Sequence, residues 1–284
     1  MRKVITFLTA SITGGAICIV LFFVIGIASV ILSRGHSAID IEFLTTATSE
    51  AGASGGILWQ IIGTIILIIS AALIAVPLAT AIALLHSFIL IKDSFIQRSI
   101  GLLLQIFNAI PSIIFGIIGL LVFTKYLDWG KSWLAGGIVL GIMIIPTITI
   151  TVTHRIATIS PGLLESAIGL GLRRGQIIRS VILPQSASAL ISGLLMGLAR
   201  AAGETAPILF VATIFAGSTI PTGIKDNPVL SLSYHIFILA QDSFHESAQT
   251  NVWGTALVLV AIITLFGLIA IPLRNRIKNA ADHA

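Results

Sequence analysis

Apolar residues in this chain gather into long runs divided by short polar segments, and strand-length alternation of polarity is not the pattern. Each run approaches or exceeds about 20 residues, the length at which an α-helix crosses about 30 Å of hydrocarbon. Six such helices are predicted, near 12–32, 57–85, 102–123, 134–152, 187–215 and 252–271. Thr147, Thr149, Thr151 and Thr153 alternate with Ile148, Ile150 and Val152, a strand pattern in water. In a bilayer a lone strand leaves its backbone polar groups unsatisfied, so helix is the expectation there too.

Irregularity concentrates in the second to fifth runs, where Pro77, Pro111, Pro146 and Pro207 each remove a backbone donor and predict kinked or broken helices. Ala189, Gly193, Gly197 and Ala201 recur every four residues and predict a smooth ridge for close helix packing. The two longest connections, 33–56 and 216–251, read as loops, the second holding VLSLSYHIFILAQ, a short interfacial or re-entrant helix. No connection is long enough to bury a core of its own. The fold class is therefore an all-α integral membrane protein with six transmembrane helices.

Composition supports this, since 56% of the 284 residues are hydrophobic and only 10% are charged. The net charge of +5 is spread along the chain and not massed on one face, which argues against nucleic acid and for a topological signal. With the N-terminus inside, eleven of the sixteen Lys and Arg fall on inner segments and four on outer ones, the last being Arg200 within a span. That asymmetry predicts N-in and C-in. Arg2 and Lys3 precede an apolar run longer than the roughly 7–15 residues of a signal-peptide core, so a retained first helix is expected.

Few residues can carry chemistry. Six scattered histidines and the single Cys18 show no metal-ligand spacing, so no metal site is expected. Trp129 to Ser132 resemble the end of a phosphate-binding loop, but Lys125 stands where that motif needs glycine, so no ATP site is expected on this chain. The zincin pattern is absent, leaving catalytic readings without a metal.

Arg200 and Glu204, in GLARAAGETAPILF, are the charged pair placed deep in a span, about 20 Å of helix beyond Ala187 and expected near the midplane. Four-residue spacing puts them on one helical face. Intramembrane charges are costly and usually mark an ion or substrate route, with a structural salt bridge as the plain alternative. An arginine fork suits oxyanions, and Glu204 can hold it when empty and weaken its grip on a passing anion. Gln60, Thr64, Gln105, Asn108 and Thr205 each read, taken alone, as helix–helix hydrogen-bonding groups. Asn108 stands out because it precedes Pro111, where an interrupted helix frees backbone groups, and it joins the pathway set with Thr205.

The segment 161–184, PGLLESAIGLGLRRGQIIRSVILP, is a polar island. Ser160 is a candidate cap for a helix beginning at Pro161, and Leu163, Leu164, Ala167 and Ile168 form an apolar stripe. Gly171 allows a turn, after which Gln176 to Leu183 predict a second short helix. Arg173, Arg174 and Arg179 suit either a protein partner or lipid headgroups.

The island resembles the cytoplasmic EAA loop of ABC-importer permeases: Glu-Ala-Ala, three residues, Gly, nine residues, Ile, one residue, Leu-Pro. Glu165, Ser166, Ala167, Gly171, Val181, Leu183 and Pro184 occupy those places, Ser166 and Val181 being mild departures. ARAAGETAPILFVAT and NAIPSIIFGIIGLLVF are similar to spans of the Pst-type phosphate-importer permeases, and TAPILF favours the A type over the C type. The resemblance covers about 63–271. It implies a type I (MetI-like) permease core over 57–284, with 1–56 as an added helix and external loop, in a bacterial or archaeal cytoplasmic (inner) membrane. It also implies that 161–174, with Glu165, Ser166, Ala167, Gly171, Arg173 and Arg174, docks in a groove of a partner ATPase. The implied partners are a C-type permease subunit, an ATP-binding subunit dimer that holds ATP and Mg, and an external phosphate-binding protein, with no cofactor on this chain. A permease for another oxyanion, such as sulfate or molybdate, and an ATPase-independent secondary transporter are the competing readings.

Overall fold

A computed structural model describes residues 2–49, 54–215, 220–241 and 246–282. Parts of both long loops, with His245 and His283, lie outside the described residues. In chain order the helices are α1 (Arg2–Gly35), α2 (Ile41–Thr45), α3 (Leu58–Leu84), α4 (Phe95–Ala109), α5 (Ser112–Gly119), α6 (Trp133–Ala157), α7 (Pro161–Gly169), α8 (Arg174–Ile177), α9 (Leu183–Gly203), α10 (Ala206–Val211), α11 (Leu232–Leu239) and α12 (Glu246–Asp282). Two antiparallel strands of two residues each, β1 (Thr48–Ser49) and β2 (Ser54–Gly55), pair in the first loop. Wider π-type turns at Leu85–Ile89, Leu120–Tyr126 and Ile178–Ile182 extend α3 and α5 and join α8 to α9.

Among the described residues five helices are long and apolar enough to cross a membrane, and a bent pair, Phe95–Ala109 and Ser112–Tyr126, which meet at 95°, makes up to six. Close contacts of small residues show how the crossings run. Gly136 lies against Leu67, Gly141 against Ala71, and Thr149 Oγ1 donates to Ala79 O, so α3 and α6 are parallel. Two parallel crossings need a third between them to bring the chain back, and α4 with α5 makes that return as one broken span. Gly193 meets Ile148 and Gly197 meets Ile144, so α9 runs opposite to α6. The close approach of Gly35 to Trp253 and of Gly254 to Ala38 sets the end of α1 beside the start of α12. The start of α1, the 161–184 island and the end of α12 therefore share one side, here the island side.

The core lies along the α3–α6 seam. Ala71, Ala75, Ala79 and Ala83 are fully buried at four-residue intervals, facing Met143, Ile144, Ile148 and Val152 within one cluster. Without a hydrophobic drive between helices in lipid, small side chains that let backbones approach supply the packing. Gly193 and Gly197 of the predicted ridge do the same for α9 against α6.

The prolines differ in effect. Pro77 and Pro146 stay within continuous helices, whereas Pro111 separates α4 from α5. At Pro207 the predicted fifth span of 187–215 is corrected: helix α9 stops at Gly203 and α10 starts at Ala206. A helical Pro207 would clash with the carbonyl four residues back, which is Gly203. The island is also corrected in part, because Gln176 to Leu183 is not a separate helix but belongs to one run, Arg174–Gly203.

Gly63 shows how little slack the far side has: a Cβ there would lie 1.9 Å from the Leu230 carbonyl oxygen. Gly63→Ala is expected to lower the folded yield and the Tm of the purified chain, because the obstacle is backbone. Gly267→Ala, where a Cβ meets nothing within 4 Å, is expected to be neutral or slightly stabilising in the same thermal-unfolding assay.

Candidate functional site

Arg200 sits one turn from the end of α9. Since Gly197 rests on Ile144, Arg200 comes level with a point about a third of the way down α6 from its far end, nearer the far side than the expected midplane. Its Nη1 donates to Asn108 Oδ1 at 3.0 Å, and its Nε lies 3.7 Å from Glu204 Oε1. Glu204 is not inside the helix; it caps α9 with extended backbone at φ −74 and ψ 129. The side chains of Arg200 and Glu204 are 31% and 17% exposed, and Asn108 is exposed on the last turn of α4. Three of the four predicted pathway residues thus converge where two broken spans meet.

Thr205, the fourth, turns elsewhere and donates through Oγ1 to Ser233 O at 3.4 Å. The bends that create the site are packed together: Gly116 of α5 lies against Pro207 of α10, and Gly119 against Val211. Phe107 and Phe115 pair across the Pro111 bend with ring centroids 6.2 Å apart. The arrangement offers one guanidinium, one neutral amide oxygen and one carboxylate, a set able to bind an oxyanion reversibly.

On the far side a second cluster surrounds α11, which Ser231 caps by accepting from Tyr234 N. The predicted interfacial or re-entrant helix is present as α11, docked on the bundle with Leu232, Ser233, His235 and Leu239 buried. Leu232 N donates to Thr64 Oγ1 at 2.9 Å, Gln60 Nε2 lies 3.3 Å from His235 Nδ1, and Phe215 stacks on the His235 ring. Gln60 and Thr64 had the plain reading of structural hydrogen bonding, and that is where they are found; Ser233 carried no sequence signal. Burial pushes the His235 imidazole, which lies outside the spans, down to about 4. Its folded pKa is below the unfolded value, so the stability it contributes is complete above about pH 6.5 and is lost as pH falls toward 4. At the acid end the loss is on the order of 3 kcal/mol. Thermal unfolding between pH 8 and pH 4.5 is expected to show this decline, and His235→Asn to flatten it.

Nearby, Lys131 Nζ donates to Leu209 O and Thr213 O at 3.1 and 2.9 Å, holding the carbonyl end of α10, and burial lowers its pKa. The phosphate-loop resemblance at Trp129 to Ser132 dissolves into this anchoring role. Among the described residues no group of three or more His, Cys, Asp or Glu is placed to hold a metal.

On the island side, α7 begins at Pro161 after Ser160, whose side chain makes no capping bond. The apolar stripe divides between two faces: Ala167 is buried and Leu164 packs on the core, while Leu163 and Ile168 are exposed, as is Leu170 just past the helix. Gly171 turns the chain at φ +78, with open space around it. Glu165, Ser166, Arg173 and Arg174 are all exposed, so every predicted coupling residue except Ala167 and the turn glycine offers a side chain outward.

Residues 75–279 match the family described as binding-protein-dependent transport system inner membrane component. The chain is 33% identical, over 98% of its length and 94% of the relative's, to a probable phosphate transport system permease protein PstA of Methanocaldococcus jannaschii. It is 32% identical, over 86% of its length and 78% of the relative's, to phosphate transport system permease protein PstA 2 of Mycobacterium bovis. Among solved structures, a bacterial alginate ABC transporter in complex with its alginate pentasaccharide-bound periplasmic protein shares the fold, with a TM-score of 0.66 at 16% identity over 96% of this chain and 95% of that one. The chain belongs to the binding-protein-dependent inner membrane components, the multi-pass permease subunits of ABC importers, which reside in the cytoplasmic membrane and are not themselves enzymes.

Proposed function

We propose that this chain is the A-type permease of a phosphate importer, with both termini and the island inside, 57–284 as the transport core and 1–56 as an added helix and loop. The observation that carries the reading is the placement of the Arg200 cluster. Helix α4 has no buried residue, and Leu102, Leu103, Ile106 and Phe107 are exposed around Asn108. A guanidinium and an amide open to hydrocarbon would be costly, so a second permease subunit of the C type covers this face and the anion passes between the two. The PstA names of the two relatives above support phosphate as cargo.

In this reading ATP and Mg bind on a separate ATPase pair, which closes and pushes α7 through its exposed Leu163 and Ile168 and the adjoining Leu170. The push travels directly into the fifth span, since Arg174–Gly203 is one continuous run ending at the Arg200 pair. An external phosphate-binding protein delivers the anion on the far side. The test is ATP-driven uptake of labelled phosphate into proteoliposomes, adding the permease pair, ATPase and binding protein one at a time. Uptake that needs all four and resists excess sulfate and molybdate is expected. Equal competition by those oxyanions would overturn the cargo, and uptake without the ATPase would overturn the coupling.

A further inference from the structure

Where α9 ends, the freed backbone does not face an open path but is held from the far side. Ser233 Oγ donates to the Glu204 carbonyl oxygen at 2.9 Å, and Thr205 Oγ1 returns a bond to the Ser233 carbonyl. Ser233 is buried, as is the α11 face around it. Helix α11 is in turn tied to α3 by the Leu232 N to Thr64 Oγ1 bond and by the backbone approach at Gly63. Helix α3 carries the fully buried alanine seam that packs on α6. A short strut therefore runs from α3 through α11 to the residue that faces Arg200.

The geometry at the far end of that strut is specific. Arg200 Nε and Glu204 Oε1 are 3.7 Å apart, whereas a charge-assisted hydrogen bond closes at about 2.7–2.9 Å. The carboxylate is thus held just short of full contact, which leaves guanidinium donors for another oxyanion. Helix α9 holds Glu204 through its N–H, which donates to the Ala201 carbonyl at 3.3 Å, while Ser233 holds the carbonyl on the other side of the residue.

We propose that Ser233 is a positioning residue for the anion path: its hydroxyl anchors the Glu204 carbonyl, keeps the carboxylate from closing on Arg200, and links α11 to the transport site. This rests on the Arg200 cluster being the path. Freed from Ser233, Glu204 competes with the anion for Arg200, so binding suffers more than turnover.

In the complete reconstituted importer, Ser233→Ala is expected to raise the KM for phosphate by about 5- to 10-fold with a smaller change in kcat, a pattern of lost binding. Ser233→Thr, which keeps the hydroxyl, is expected to lie nearer the unsubstituted protein. On a Glu204→Gln background, where no carboxylate competes, Ser233→Ala is expected to add less than about 2-fold in KM, since residues acting through one another are not additive. Independent effects that multiply would overturn the proposal, because a merely structural serine behaves that way. A second readout does not depend on transport. In a Cys18→Ser background, the thiol introduced by Glu204→Cys retains the backbone carbonyl that Ser233 holds, and Ser233→Ala is expected to speed its labelling by an impermeant maleimide by about 5-fold or more, as a local opening would. An unchanged labelling rate would overturn the anchor whatever uptake does. If Arg200→Ala and Glu204→Gln both leave uptake intact, the path reading fails and the transport role of Ser233 with it, while the labelling rate still judges the anchor.

Discussion

Replacing Arg200 with alanine is expected to reduce phosphate uptake by the assembled importer at least about 100-fold, equivalent to about 2.7 kcal/mol of lost stabilisation of the anion in transit. The expectation follows from what the guanidinium touches. It donates to Asn108 Oδ1 and approaches Glu204 Oε1, so it is the positive group between two acceptors. Its removal leaves an uncompensated carboxylate facing the route of an anion. Membrane abundance is expected to hold, because the Arg200 side chain is about one-third exposed and fills no core position. Arg200→Lys keeps a charge but loses the planar fork, and is expected to retain roughly a tenth of uptake. Uptake near the original level in Arg200→Ala, measured at equal abundance, would remove the arginine from the path.

The particular residues show why this site was partly readable in advance. Arg200 and Glu204 announce themselves because ionisable groups amid apolar runs are rare, and Asn108 because a proline follows it. Their convergence was not readable, since it joins positions separated by 92 residues through two breaks of unequal kind. Local chemistry alone gives Pro77, Pro111 and Pro146 the same expectation, yet only Pro111 divides its helix. Tertiary contact decides: the bend brings Gly116 and Gly119 against Pro207 and Val211 on the other broken span. The same limit left the seat of α11 open, though not its existence. Its apolar sequence suits a lipid interface as well as a protein cleft, and what selects the cleft is a hydrogen bond to Thr64, 168 residues away. The island was more legible because its constraints are local, above all a glycine at the left-handed turn, φ +78, that joins the short α7 to the long run beginning at Arg174.

That local legibility leads to the other large effect. The double substitution Ile168→Asp with Leu170→Asp is expected to abolish both ATPase copurification and ATP-driven uptake while leaving the permease at normal abundance. Ile168 is 63% and Leu170 81% exposed, so neither contributes to the core, and charges there meet only solvent in the isolated subunit. Against an ATPase groove the same carboxylates must be desolvated without partners, a cost that opposes docking. Leu164→Asp makes the converse comparison. Leu164 packs against the buried cluster, so its replacement is expected to lower folded abundance instead. Pull-down of the ATPase from detergent extracts, normalised to permease, separates the two outcomes. If the double variant kept its ATPase and its uptake, α7 would not be the docking element, and the unbroken run from Arg174 to Gly203 would have no force to carry from the island to Arg200.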